Sequence, residues 1–350
     1  MIKVLIVDDS YTVCEYMKSI INSDDECEVI GIARNGEEAV EMTRLKHPDV
    51  ITMDIHMPGI NGYMATREIM ENNPTPIIIV SSDIESDQAH DTFEAMQAGA
   101  VAVVKKPYGL GNPESDPLIE KIIRTIKLMS EIKVIKRLDK HKKKITSYPL
   151  VSHFQIEIVT IGVSTGGPPV IKTILSQLSE NFPCPILIVQ HISPGFLDSM
   201  IEWLSKNAPL PIHIAGHGDQ IKQGHIYFAP DDFHMGIIQK GEIMLSKAPP
   251  EYGMRPAVSY LFRTITTTYA RSAVGILLTG MGKDGALELK GMKESGATTI
   301  AQNKQSSIVH GMPGEAIKLG AVEHILSPPE IADFLNYIAN NNCGISRLNK

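Results

Sequence analysis

The chain has 350 residues, which at roughly 150 per domain predicts two domains. A content of 43% hydrophobic and 21% charged residues is ordinary for a soluble globular protein, and no stretch reaches the roughly 18 apolar residues of a membrane span. Four scattered cysteines (Cys14, Cys27, Cys184, Cys343) without metal-ligand spacing fit a reducing cytoplasm, and a net charge of -7 argues against a nucleic-acid coat. Two aspartates follow the short apolar run at the N-terminus, where a signal peptide would carry small residues, so a cytoplasmic location is expected.

The first half alternates strand and helix. Residues 4–7, 29–33, 50–53, 77–80 and 101–104 are short, β-branched apolar runs of the kind that form buried parallel strands. One helix is expected to open at Asn35 as N-cap, with Glu37 and Glu38 in its first turn; another runs from about Glu85 to Ala98 and stops at Gly99. Five such units predict a doubly wound, five-stranded parallel sheet that binds ligands at the carboxyl ends of its strands.

Those ends carry chemistry. The first strand ends in Asp8-Asp9, the third in Asp54, the fourth in Ser81-Ser82 and the fifth in Lys105-Lys106-Pro107. Three converging carboxylates repel and raise one another's pKa. A divalent cation with hard oxygen ligands and open water positions removes that repulsion, which points to Mg²⁺. An aspartate beside such an ion can attack phosphorus, and a lysine and a serine at neighbouring strand ends can hold phosphoryl oxygens.

Taken together, Asp8-Asp9, Asp54-Ile55-His56-Met57-Pro58, Ser81 and Lys106-Pro107 resemble a response-regulator receiver domain over residues 1–125. The resemblance implies that Asp54 is the phosphoacceptor and a histidine kinase the donor. It implies Asp8, Asp9 and Asp54 as Mg²⁺ ligands and Ser81 and Lys106 as phosphoryl sensors. Val103 stands where the family often has an aromatic switch residue, and Asn61 where it often has Asp.

From Lys127 to Lys144 there are eight Lys/Arg against Glu131 and Asp139, a local net charge of +6. Residues 126–155 are expected to be an interdomain linker, helical at its start and otherwise a solvated tether.

The second half contains Gly162-Val163-Ser164-Thr165-Gly166-Gly167-Pro168-Pro169 after an apolar strand over residues 155–162. The glycines permit a sharp strand-to-helix turn, Pro169 suits a first helical turn, and the helix N-terminus offers amides to a developing oxyanion. Serine needs a general base, and the base an acid that orients it. His191 directly follows the strand over residues 185–190, and Asp284 lies just past the strand over residues 274–278. A parallel sheet brings all three to one edge. His213, His217, His225, His234 and His310 compete for the base, with His234 the best rival, and Asp219, Asp231 and Asp232 compete for the acid. The order Ser, His, Asp differs from the Ser, Asp, His of the α/β-hydrolase fold, so a mostly parallel α/β domain of another kind is expected.

Ile161–Gly167, Val189-Gln190-His191, Gly224–Pro230, Leu278–Gly285 and Gly311-Met312-Pro313 make residues 156–347 similar to the catalytic domain of the chemotaxis protein-glutamate methylesterase (CheB) family. The resemblance implies Ser164 as nucleophile, His191 as base and Asp284 as orienting acid, with the Thr165 and Met281 amides as oxyanion hole and no cofactor at that site. It implies demethylation of glutamyl methyl esters, and deamidation of some glutamines, on the cytoplasmic helices of methyl-accepting chemoreceptors. Phosphorylation at Asp54 is expected to activate the esterase. Ser259 and Gly314 depart from the family pattern, and both are expected at a recognition surface. A receiver-regulated adaptor with an inactive hydrolase-like domain is the alternative. A DNA-binding output is disfavoured by the acidic balance and by the lack of a helix-turn-helix pattern, and no membrane insertion is expected.

Overall fold

The computed structural model describes residues 1–81, 86–109, 112, 115–132 and 156–342. Ser82, Glu85, residues 133–155 and Cys343 lie outside them. The chain divides into two compact units, Met1–Lys142 and Lys143–Lys350.

The first unit runs β1 (Ile2–Val7), α1 (Tyr11–Asn22), β2 (Cys27–Ala33), α2 (Gly36–Lys46), β3 (Val50–Met53), α3 (Gly62–Asn72), β4 (Ile77–Ser81), α4 (Ser86–Ala98), β5 (Ala102–Lys105) and α5 (Ser115–Ser130). All five expected strands form, in the order β2-β1-β3-β4-β5 and wholly parallel. β3 and β4 are buried throughout, as strands covered by helices on both faces must be. Strand order reverses between β1 and β3, which opens a crevice at their carboxyl ends. Asn35 caps α2 by accepting the Glu38 amide at 2.8 Å, and Asn61 caps α3 by accepting the Met64 amide at 2.9 Å. Lys127, where the basic run begins, lies on α5 and pairs with Asp24 (2.9 Å) and Glu26 (3.1 Å) of its own unit.

The second unit runs β6 (Ile158–Val163), α6 (Gly167–Leu175), β7 (Ile186–Gln190), α7 (Leu197–Ser205), β8 (Ile212–Ile214), β9 (Ile226–Phe228), β10 (His234–Gln239), β11 (Glu242–Ser246), α8 (Val258–Tyr269), β12 (Ala273–Leu277), α9 (Ala286–Glu294), β13 (Thr298–Gln302), α10 (Met312–Lys318), β14 (His324–Leu326) and α11 (Pro328–Asn342). Seven strands form one parallel sheet, β14-β13-β12-β6-β7-β9-β8, and β10 and β11 make a separate antiparallel hairpin. β6, β7, β12 and β13 are buried along their whole length. On one face, Leu187 and Tyr227 pack with Val258, Leu261, Phe262 and Ile265 of α8 and with Leu289 and Met292 of α9. Truncating a ring as buried as Phe262 to Ala costs about 3–5 kcal/mol, so this layer fixes where α8 begins. The chain leaves β6 towards β7 and later returns on the other side at β12. The crevice of this unit therefore opens at the ends of β6 and β12. Among the described residues, no helix is long and apolar enough to cross a membrane.

Candidate functional site

In the first unit, Asp8 follows β1, Asp54 follows β3, Ser81 ends β4 and Lys106 follows β5. The register aligns Val7 with Met53, which sets Asp8 and Asp54 side by side. One oxygen from each of Asp8, Asp9 and Asp54 lies within 4.8 Å of the others, a cluster that could hold a metal ion. Asp8 and Asp54 are buried, whereas Asp9 is exposed and leaves one side open to solvent. The Lys106 ammonium sits 2.7 Å from Asp8 Oδ2 and 3.0 Å from Asp54 Oδ2, and its amide donates to the Ser81 carbonyl at 2.8 Å. Burial pushes the Asp54 carboxyl above its ordinary value; Lys106 pulls it down and Asp8 pushes it up again. Burial alone would lower the Lys106 ammonium, but Asp54 and Asp8 outweigh it and raise the group. One cation cannot neutralise three carboxylates, so the donor set suits a hard divalent ion.

In the second unit, β6 and β7 pair in register through Val163 and Gln190, so Ser164 and His191 follow at neighbouring strand ends. The His191 amide donates to the Val163 carbonyl at 2.9 Å. His191 Nε2 lies 3.0 Å from Asp284 Oδ2, and both side chains are buried. The two atoms are within hydrogen-bond distance, but the ring N–H is off the line to that oxygen and has no other acceptor, so the hydrogen bond is not yet aligned. The Ser164 hydroxyl bonds to no group among the described residues, the His191 ring included. Catalytic hydrogen bonds of substrate-free sites are often this loose and tighten on the substrate.

Asp284 is anchored more firmly. Its Oδ2 accepts the Val258 amide at 2.7 Å and its Oδ1 the Ser259 amide at 2.9 Å, the first two amides of α8. Ala257 supplies no side-chain cap, so the carboxylate from another loop caps the helix, and the helix dipole favours its charge. Burial would raise Asp284, but His191 and the Ser259 donors hold it below its ordinary value. Close approach makes this possible: a Cβ on Gly162 would lie 2.2 Å from Val258 Cγ1, so only glycine there lets α8 reach the strand end.

Ser164 stands on the expected sharp turn, with Gly166 at φ +75°, where glycine carries no penalty. The N-terminus of α6 is poorer in donors than expected. Pro168 and Pro169 remove two amides, and Gly167 already donates to the Ser164 carbonyl at 2.9 Å. The Thr165 and Met281 amides, in contrast, donate to no group among the described residues. The Met281 loop is close: a Cβ on Gly280 would lie 2.7 Å from Ser164 Cβ, and the Ser164 amide donates to the Thr279 carbonyl at 3.0 Å.

The rival groups all have other partners. His213 and His225 bond each other at 2.8 Å and stack. His217 is exposed and accepts the Leu245 amide. His234 is fully buried, with Nε2 3.1 Å from the Pro249 carbonyl and Nδ1 accepting the Ala257 amide. His310 faces Ser307 at 3.2 Å. Asp219 and Asp231 accept the Gly216 and Gly195 amides, and Asp232 pairs with Arg255.

Two contributors were not anticipated. Gln190 is buried, and its Nε2 donates to the carbonyls of both Ser164 (3.0 Å) and His191 (2.8 Å). A polar side chain ending an otherwise apolar strand, next to His191, was the available signal. Ser259 is the other, and here the expectation of a recognition surface is corrected. It is completely buried, accepts the Gly285 amide at 2.9 Å and donates to Glu288 Oε2 at 2.7 Å. It supports Asp284 because it occupies the first turn of the helix that Asp284 caps. Gly314 is half-buried, and a Cβ there would meet His310 at 3.1 Å.

Comparisons with known proteins bear on both units. The CheB methylesterase model matches residues 159–335, and the response regulator receiver domain model matches residues 4–113. A protein-glutamate methylesterase/protein-glutamine glutaminase of Geobacter metallireducens is 47% identical over 344 residues, covering 97% of this chain and 99% of the relative. The namesake from Nitrosospira multiformis is 48% identical over 338 residues, covering 95% of each. The crystal structure of the Thermotoga maritima CheB methylesterase catalytic domain superposes with a TM-score of 0.51 at 36% identity, over 52% of this chain and 98% of that one. These relatives fit the esterase reading and not the inactive adaptor.

Proposed function

This chain belongs to the CheB methylesterase family, and from that premise we propose that it is a phosphorylation-activated serine esterase acting on glutamyl methyl esters of chemoreceptor cytoplasmic helices. The observation that carries the reading is the His191–Asp284 contact one strand away from Ser164.

Ser164 Oγ attacks the ester carbonyl carbon while His191 takes its proton. The Thr165 and Met281 amides, which donate to no group among the described residues, receive the oxyanion. The tetrahedral intermediate expels methanol, which leaves with the proton held by His191. Water then attacks the acyl carbon, His191 takes its proton, and glutamate and the free serine are released. A glutamine side chain follows the same path with ammonia as leaving group. Asp284 stays ionised and holds the imidazolium that forms.

In the receiver, residues 1–125, Asp54 accepts the phosphoryl group from the phosphohistidine of a histidine kinase. Asp8, Asp9 and Asp54 would hold Mg²⁺, which supplies neutralising charge when bound. Lys106 and Ser81 would contact phosphoryl oxygens, and Lys106 would exchange its Asp54 contact for one of them. Residues 126–155 link this domain to the catalytic one at 156–347. The protein would work in the cytoplasm, without nucleic acid or membrane insertion.

The test is methanol release from methylated receptor by the unmutated chain and by Ser164→Ala. Release that survives the substitution removes Ser164 as nucleophile.

A further inference from the structure

The segment between β11 and α8 spends a strained residue in an exposed place. Glu251 and Met254 pair through two backbone hydrogen bonds, of 3.0 and 2.8 Å, around a turn made by Tyr252 and Gly253. Their φ values are +51° and +74°. Glycine and asparagine suit the first of these positions; a bulky aromatic does not. Tyr252 is nonetheless there, 49% exposed.

The turn is held from several sides. Glu251 pairs with Arg263 of α8, which also reaches Glu288 at 3.4 Å. His234 Nε2 meets the Pro249 carbonyl at 3.1 Å. Arg255 donates to the Lys247 and Ala248 carbonyls at 3.3 and 3.2 Å and pairs with Asp232. The turn is thus presented rigidly, beside the catalytic edge. The Lys283 ammonium lies 5.9 Å from the centre of the Tyr252 ring, and Lys283 is the residue before Asp284. Lys283 is exposed and makes no ion pair among the described residues. Burial, Glu288 and Asp284 raise the Tyr252 phenol, which therefore remains neutral and able to donate.

We propose that Tyr252 and Lys283 form a recognition shelf at the rim of the catalytic edge. The ring takes aliphatic side chains, and the ammonium takes carboxylates, of the protein helix that carries the scissile ester. This rests on the esterase reading. The reacting carbonyl belongs to a side chain that must reach Ser164, while the backbone bearing it stays outside. Rim groups beside the catalytic residues are where that backbone's neighbours land, and such remote contacts position the reacting atoms. A strained aromatic held in an over-determined turn is the kind of outlier that function retains.

The experiment compares the full chain with Tyr252→Asn, Tyr252→Phe and Lys283→Gln. It uses a methylated soluble chemoreceptor cytoplasmic fragment as substrate and reads KM, kcat, Kd and melting temperature. Tyr252→Asn is expected to raise KM and Kd about tenfold, the scale of one good aromatic contact, with kcat within about twofold. Its melting temperature should not fall, because asparagine tolerates the left-handed region. Tyr252→Phe should retain most affinity. Lys283→Gln should weaken binding about threefold and flatten its salt dependence. Equal Kd and KM for Tyr252→Asn and the unmutated chain overturns the shelf, as does a fall in kcat at unchanged KM. No methanol release by the unmutated chain overturns the esterase reading instead, and Kd still judges the shelf separately.

Discussion

In the first unit, Asp8, Asp9 and Asp54 crowd within 4.8 Å around one lysine; in the second, Asp284 stands alone among amide donors and an imidazole. Both arrangements use the carboxyl ends of parallel strands beside a reversal in strand order. The difference lies in how negative charge is balanced. The receiver cluster carries more charge than its own residues neutralise, and burial raises Asp54. Such a site responds strongly to an added cation or phosphoryl group, which suits a switch. Asp284 is already neutralised by the α8 N-terminus and held low. Its charge is in place beside the His191 ring, with only the alignment of that contact left to tighten, which suits preorganised catalysis.

The largest expected effect separates the two units outright. Ser164→Ala should lower methanol release about 10⁵-fold or more, as for a nucleophile of a serine hydrolase. Asp54→Ala should leave basal release within about twofold and remove its stimulation by a small phosphodonor. Stimulation that persisted would break the assignment of Asp54. Next in size, Asp284→Asn should lower kcat roughly 10³–10⁴-fold, because the ring loses the charge that orients it. Gln190→Leu should cost about 10–100-fold in kcat with KM little changed, since buried Gln190 ties the backbones of Ser164 and His191 together. Circular dichroism of that variant checks that the sheet is intact.

The smallest effects are in stability, and their signs should oppose. Asp284 has a depressed pKa, so its contribution is present above the unfolded carboxylate value near 3.9 and is lost as pH falls through the folded value. Asp54 is raised, so its contribution is present at low pH and is lost as pH rises through the folded value. At pH 7, Asp54→Asn should therefore raise the melting temperature of its unit, and Asp284→Asn should lower that of its own, each by a few degrees. About 1 kcal/mol shifts domains of this size by roughly 4 °C. The Asp54 difference should shrink as the pH falls from 8 towards 4, and the Asp284 difference only below about pH 3.9; calorimetry across both ranges measures this, and shifts of the same sign at pH 7 would contradict the comparison.

Much of this was legible along the chain. The five receiver strands read as apolar runs because strands buried on both faces tolerate little else, and Asp8, Asp54 and Lys106 stand where those runs stop. Ser164, His191 and Asp284 were legible for the same reason. The histidine rivals could not be dismissed that way. His234 follows the loop after β9, but it opens β10 of the separate hairpin, and its ring is buried between the Pro249 carbonyl and the Ala257 amide. Ser259 looked like a surface position because its neighbours in sequence say nothing of Asp284 or Glu288, which lie more than 20 residues away.

The order of residue types along the chain thus determined the two α/β units and which chemical groups reach strand ends, because periodicity and local turn chemistry are properties of neighbours in sequence. What only the folded arrangement decided was the company each group keeps: the α8 amides beneath Asp284, the Gln190 clamp, the donors lost at α6 and the Tyr252 turn beside Lys283. Those depend on approaches of a few ångströms between distant segments, as where Gly162 admits Val258, and packing in three dimensions sets such distances.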